Sequence, residues 1–145
     1  MPFEKQKGGI QGAGELALAD QAKEAEIEMI FEVAKSDFAA ERFDIAIDGF
    51  DDLAGRFPDS PQGREAGYWI AECRLAKKDF DGAEQAYILY IRQYPQGARI
   101  CASLYKLGLI YDHFKKPKSR DLVWKKLIDQ YPESQEAALA RTHKG

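Results

Sequence analysis

Apolar residues recur along the chain at the spacing of amphipathic helices. Between residues 70 and 94, for example, bulky apolar side chains recur mainly at steps of three to five. Short polar breaks interrupt the pattern along the chain at residues 40–42, 77–79 and 115–117. This periodicity is typical of helices that bury one face. The pattern predicts seven helices, at about residues 14–39, 43–57, 61–77, 80–94, 97–114, 117–131 and 134–142.

An aromatic residue followed by proline occurs three times, at Phe57, Tyr94 and Tyr131, each time 37 residues further along. Two further columns repeat at the same interval: the small residues Ala34, Ala71 and Gly108, and the aromatic residues Phe50, Tyr87 and Trp124. Proline ends a helix, because it lacks the N–H and disfavours helix in the preceding residue. The interval therefore predicts three two-helix units, about 27–62, 63–99 and 100–136, closed by a capping helix at 134–142.

The composition supports an all-α fold. Valine and threonine together number only three, which is poor material for a sheet, whereas good helix formers dominate. The length of 145 residues is that of one domain. The glycine-rich residues 1–12 are predicted to be a flexible tail, and residues 13–145 a single repeat domain.

Within each unit a small residue, an alanine, an aromatic and a proline fall at fixed offsets. In the second unit they are Ala71, Ala83, Tyr87 and Pro95. This spacing resembles the tetratricopeptide repeat. The longer unit and its closing aromatic-Pro phrase look most like the C-terminal repeat domain of the Tol–Pal coordinator family, and the repeats of outer-membrane-assembly lipoproteins are a second resemblance.

The resemblance implies a superhelix of three antiparallel helix pairs plus the C-terminal capping helix. It also implies a non-catalytic protein–protein interaction module or scaffold, in a bacterial envelope or other multiprotein assembly. In such a fold the first helix of each pair lines a concave groove. The residues expected there, as binding site for a protein or peptide partner, are Phe31, Lys35, Phe38, Tyr68, Glu72, Leu75, Tyr105, Leu109 and Asp112.

Three of the residues expected in the groove, Phe31, Tyr68 and Tyr105, form an aromatic column of their own, and this column has two interpretations. Partly exposed aromatic side chains are favoured anchors at interfaces, so Phe31, Tyr68 and Tyr105 are candidates for contact with the partner. The alternative is that the three rings belong to the core, because the orientation of each helix is inferred from the pattern.

Charge is unevenly distributed. The net charge is −3. Residues 12–48 hold ten acidic and three basic residues, whereas residues 113–126 hold six basic and one acidic. An alternative function follows: a structural subunit that forms a homo-oligomer through its complementary ends and N-terminal tail. The other interpretation is that both segments are solvated faces. No nucleic-acid partner is expected.

No constellation of catalytic residues stands out. The chain has no GxxxxGK[ST], HExxH or GxSxG motif, and its two histidines, His113 and His143, lack the spacing of metal ligands. Cys73 and Cys101 are interpreted as small apolar fillers. The sequence therefore predicts a protein that is not an enzyme and has no cofactor and no metal.

The compartment has two alternatives. No run approaches the ~20 apolar residues of a membrane span. If Met1 is the true start, a cytoplasmic protein is expected. If a signal sequence is missing from the chain, the protein is expected in the periplasm.

Overall fold

The chain folds into helices packed as consecutive antiparallel pairs. A computed structural model describes the backbone of residues 2–143 and the side chains of residues 12–143. The helices are α1 Pro2–Ala39, α2 Phe43–Arg56, α3 Pro61–Ala76, α4 Phe80–Gln93, α5 Ile100–His113, α6 Pro117–Gln130 and α7 Gln135–Thr142. Residues 2–143 contain no strand. The predicted all-α fold of three helix pairs and a C-terminal capping helix is confirmed.

Each pair turns at a residue in the left-handed region. Glu41, Lys78 and Lys115 have φ of 62°, 65° and 58°, and they lie 37 residues apart. In the second turn the Lys78 N–H donates to the Leu75 carbonyl at 2.9 Å. The next N–H in each turn reaches back five residues, which satisfies carbonyls at the end of the first helix. These turns fall at the polar breaks that the sequence predicted.

Serine caps begin the helices that follow two of the three prolines. The Ser60 hydroxyl accepts from the Gly63 N–H at 2.9 Å, and the Ser134 hydroxyl accepts from the Ala137 N–H at 3.0 Å. A serine at this position satisfies one of the free N–H groups at a helix N-terminus. The starts of α3 and α7 therefore lie within one residue of their predicted positions.

The remaining helix, α5, begins at Ile100 rather than at residue 97. Gly97 stands where the other units have serine, so no side chain caps the helix there. The hydroxyl of Tyr90 instead accepts from the Arg99 N–H at 3.0 Å. A contact from the preceding helix thus sets the start of α5.

The first helix is longer than predicted. It begins at Pro2, whereas the sequence predicted a start near residue 14. Every residue from 13 to 25 is exposed, and among residues 12–143 Ile27 is the first that is buried. The side chains of residues 1–11 lie outside the described residues, so the flexible tail and the division at residue 12 stay predictions.

The core consists of three consecutive clusters, one for each unit. The aromatic column of the second helices is central to them: Phe50, Tyr87 and Trp124 are 0, 0 and 4% exposed. Ala34 and Ala71, from the small-residue column, are also fully buried against neighbouring helices. The first two clusters include residues of the following first helix, and the third includes Ala137 and Ala140 of the capping helix α7. The core therefore continues from unit to unit, as expected of stacked repeats.

Candidate functional site

The first helices of the three pairs lie side by side and form one face. Polar contacts join them in register: Gln62 Nε2 donates to Glu28 Oε2 at 2.8 Å, and Lys106 Nζ lies 3.4 Å from Glu72 Oε2. We call the half-buried side chains on this surface the first-helix face; they are Lys35, Trp69, Glu72, Lys106 and Leu109.

Trp69 is the central side chain of the first-helix face. Its ring stacks on Phe50 with centroids 6.0 Å apart, and it meets Phe38 and Phe31 edge-on at 5.8 and 6.4 Å. The indole N–H donates to Glu65 Oε2 at 3.3 Å. Trp69 therefore has one edge in the core and is still partly open to a partner, the arrangement typical of interface anchors.

Charged groups surround this tryptophan. Arg99 Nε donates to Glu65 Oε1 at 3.1 Å, and the Arg99 guanidinium lies 5.5 Å from the Trp69 ring centroid. At the other side, Glu72 accepts from the buried hydroxyl of Tyr87 and pairs with Lys106. The side chains of Glu65 and Glu72 are 21 and 13% exposed. These hydrogen bonds hold the two carboxylates at fixed positions on the face.

Two of the predicted anchor residues are buried. Phe31 is 8% exposed and Tyr68 is 6% exposed. Phe31 packs against Phe50 and Trp69, and Tyr68 packs against Tyr87 and other rings of the second pair. The exposure expected of these two rings is not found, and the alternative of core residues describes their environment. A direct role of either ring in binding stays a prediction.

The other predicted residues are half-buried and lie at different depths. Phe38 and Leu75 pack against the first and second core clusters. Tyr105 stacks on Trp124 with centroids 5.7 Å apart and rings 10° from parallel. Lys35 Nζ lies 4.6 Å from the Phe31 ring centroid. Of the nine residues that were expected in the groove, Lys35, Glu72 and Leu109 belong to the first-helix face.

Asp112 belongs to a different cluster. Its carboxylate accepts from Arg120 Nη1 at 2.6 Å, and His143 Nε2 lies 3.3 Å away without the alignment of a hydrogen bond. The Arg120 guanidinium holds the pKa of Asp112 below its usual value. Arg120 itself is 8% exposed and lies 5.8 Å from the Trp124 ring centroid. Asp112 therefore ties α5 to α6 through Arg120.

A cleft of about 920 Å³ lies outside the predicted groove, between α1 and the connection from α2 to α3. The ring of Phe57 lies between two cations, with Arg56 4.8 Å and Lys23 5.7 Å from its centroid. Arg56 is also paired with Glu26 at 2.6 Å and Asp52 at 3.0 Å. The cleft arises because α1 extends beyond the helix that packs on it.

Trp69, Lys106 and the Glu65–Arg99 pair were not among the residues predicted from the sequence to form the site. A signal was available in the column one residue after Phe31, Tyr68 and Tyr105. The residues of that column, Glu32, Trp69 and Lys106, differ completely in chemistry. A position that alternates between acid, aromatic and base does not fit a repeated core environment. Such variation indicates surface.

The thiols fit a structural role. Cys73 is fully buried, and burial raises its pKa to about 12. A thiol with such a pKa is a poor nucleophile at neutral pH. Across residues 12–143, no group of three His, Cys, Asp or Glu side chains is placed to hold a metal ion. In the described part of the chain, no helix combines the length and apolar character needed to cross a bilayer.

The fold and the repeated contacts define the chain as a tetratricopeptide-type helical repeat protein. The model of the YfiO family, described as outer membrane lipoprotein, matches residues 23–143, and the chain belongs to this family. Of the two families that the sequence resembles, the match is to the outer-membrane lipoproteins. No curated protein matches the chain.

Proposed function

We propose that this protein is a non-catalytic scaffold that binds a segment of a partner protein along the first-helix face, within an assembly of the bacterial envelope. The observation that carries the proposal is Trp69, a half-buried aromatic ring held between two fixed carboxylates on a face built by three helices. The envelope location is part of the proposal, because the family is one of outer membrane lipoproteins.

The chemistry of the face defines the segment that it would bind. An apolar side chain of the partner would pack on Trp69 and Leu109, since burial of aromatic and aliphatic area supplies most of the affinity of such contacts. Lys35 on α1, Glu65 and Glu72 on α3, and Lys106 on α5 place charges of both signs along the face, and these would fix the direction of the segment. The partner segment is therefore expected to be extended or helical, with charges of both signs beside an apolar residue.

A pair of charge-matched variants tests the proposal. Lys35→Glu/Lys106→Glu/Leu109→Ser changes the first-helix face, and Lys118→Glu/Lys125→Glu/Leu122→Ser makes the same changes on the exposed surface of α6. Both variants are compared with wild type in affinity purification from an envelope extract, read by mass spectrometry. Far-UV circular dichroism establishes that both remain helical.

We expect the first variant to lose a small set of co-purifying envelope proteins that the α6 variant retains. If both variants retain the same proteins as wild type, binding along the first-helix face is wrong. If the α6 variant alone loses them, the basic surface of the third pair is the site. Homo-oligomer formation through the charged ends stays a prediction, because this experiment does not measure the oligomeric state.

A further inference from the structure

The outer side of α1 carries residues at positions that are buried in both later units. A shift of 37 residues aligns Met29 with Ala66 and Ser103, and Val33 with Ile70 and Leu107. In the second and third units these four equivalents are between 0 and 8% exposed. In the first unit Met29 is 62% exposed and Val33 is 55% exposed.

The repeat itself shows what covers these positions. Ala66 and Ile70 of α3 share a cluster with Ala46, Phe50 and Leu53 of α2. In the same way, Leu107 of α5 lies in a cluster with Tyr87 and Tyr90 of α4. The cover is therefore the second helix of the preceding pair, through an apolar stripe of small and bulky residues. We call Met29, Val33 and the exposed Ser36 the end face.

The charge beside the end face differs from the charge at the contacts between consecutive units. In the third unit Lys106 reaches the preceding first helix and pairs with Glu72 at 3.4 Å. The equivalent residue of α1 is Glu32, so the sign is reversed; its side chain is 57% exposed and pairs with Lys35 of the same helix at 3.2 Å. Residues 12–39 of α1 hold seven acidic and two basic residues. A helix that covers the end face is therefore complementary only if it carries basic residues beside its apolar stripe.

We propose that the end face is a docking site for an amphipathic helix of another protein, one with lysine or arginine on its flanks. The helix would lie against α1 as α2 lies against α3. Its apolar stripe would cover Met29 and Val33, and its basic side chains would face the acidic surface of α1, which includes the exposed carboxylate of Glu32. Met29 and Val33 are not residues of the first-helix face, although Glu32 pairs with Lys35 of that face. Substitution of Met29 and Val33 therefore tests this proposal without changing the first-helix face.

Peptides derived from α4 serve as the probe, because α4 covers the equivalent positions of α5. The basic peptide is the sequence of residues 80–93 with lysine in place of Asp81 and Glu84. The acidic peptide keeps both and has glutamate in place of Arg92. Isolated helices of this length are marginal in water, so both carry a lactam bridge on the polar side. Fluorescence anisotropy of the labelled peptides measures their binding to the full chain.

We expect the basic peptide to bind at least about tenfold more tightly than the acidic one. Met29→Glu/Val33→Glu should weaken its binding by at least about tenfold, the size of effect common for central apolar contacts. Glu32→Lys should reverse the preference between the peptides. Leu89→Glu, a change at an equally exposed leucine of α4, should leave binding unaltered.

The proposal is overturned if the bridged basic peptide shows no saturable binding, or if Met29→Glu/Val33→Glu binds it as well as wild type. Sedimentation velocity of the chain alone tests the other occupant. A concentration-dependent dimer that is abolished by Met29→Glu/Val33→Glu would assign the end face to a second copy of this chain and would also overturn the proposal.

Discussion

The indole of Trp124 occupies the space that a side chain on Gly108 would need. A Cβ at Gly108 would lie 1.9 Å from Trp124 Nε1, and this nitrogen donates to the Tyr105 carbonyl at 3.2 Å. In the second unit the same two positions hold Ala71 and Tyr87. The larger ring of the third unit is thus accommodated by removal of the methyl group opposite it.

We expect Gly108→Ala to destabilise the protein, although alanine is the better helix former. The methyl group would overpack the contact with Trp124, which typically costs about 1–3 kcal/mol. The free energy of unfolding is measured by urea denaturation with circular dichroism as the signal.

Two further variants make this prediction specific. Gly67→Ala adds a methyl group in α3 where nothing lies within 4 Å, and it should stabilise by up to about 1 kcal/mol. The double variant Gly108→Ala/Trp124→Tyr gives the third unit the same pair of residues as the second unit. Its loss of unfolding free energy should be smaller than the sum of the losses in the two single variants. Equal effects of Gly108→Ala and Gly67→Ala would contradict the steric explanation.

A second prediction concerns the turn between α3 and α4. Lys78 adopts a φ of 65°, a conformation that glycine adopts without strain. Lys78→Gly should therefore stabilise the protein by about 0.5–1 kcal/mol in thermal denaturation. The matched control is Ala76→Gly, two residues earlier at the end of α3, which should destabilise by up to about 1 kcal/mol. If both changes destabilise equally, the turn carries no strain.

The fold was predictable because its signals are local. The prolines and the serine caps act within a few residues of the helix ends that they define, and the 37-residue interval shows where these signals recur in each unit. The start of α5 was not predictable in this way, since the cap on Arg99 comes from Tyr90 on the preceding helix. Non-local hydrogen bonds of this kind leave no mark in the sequence around the helix end.

The candidate site was less predictable because it depends on the rotation of each helix. Successive residues of an α-helix point about 100° apart, so an error of one position exchanges surface and core. Phe31 and Tyr68 lie on the core side of that boundary, and Trp69, one residue further, lies at the face. Which of two adjacent aromatic residues is exposed is decided by packing against α1 and α4.

A third prediction tests the hydrogen bond that fixes Glu72. Tyr87 is fully buried and its hydroxyl donates to the Glu72 carboxylate. Tyr87→Phe removes this donor, so that Lys106 remains as the partner of the Glu72 carboxylate. The free energy of unfolding should fall by about 1.5–3 kcal/mol. Tyr111→Phe is the control, because the Tyr111 hydroxyl has no hydrogen-bond partner among the described residues. Equal stability of the two variants in urea denaturation would mean that the bond contributes nothing.

The last prediction concerns alkaline pH. Burial, and secondarily the charge of Glu72, raises the pKa of Tyr68 and of Tyr87 above the usual value, and burial raises that of Cys73 to about 12. A group whose pKa is raised on folding contributes its full stability below the pKa of the unfolded chain. As the pH rises further, the unfolded chain loses protons that the folded chain keeps, so stability falls.

The fall should begin near pH 9 with the thiol and steepen above about pH 10 with the tyrosines, at about 1.4 kcal/mol per pH unit for each group. Urea denaturation at a series of pH values measures the slope. Tyr68→Phe should make the slope above pH 10 less steep by the contribution of one group, about 1.4 kcal/mol per pH unit. This expectation holds whatever the variant does to stability at neutral pH. A slope that is unchanged in this variant would mean that Tyr68 ionises as readily in the folded chain as in the unfolded one.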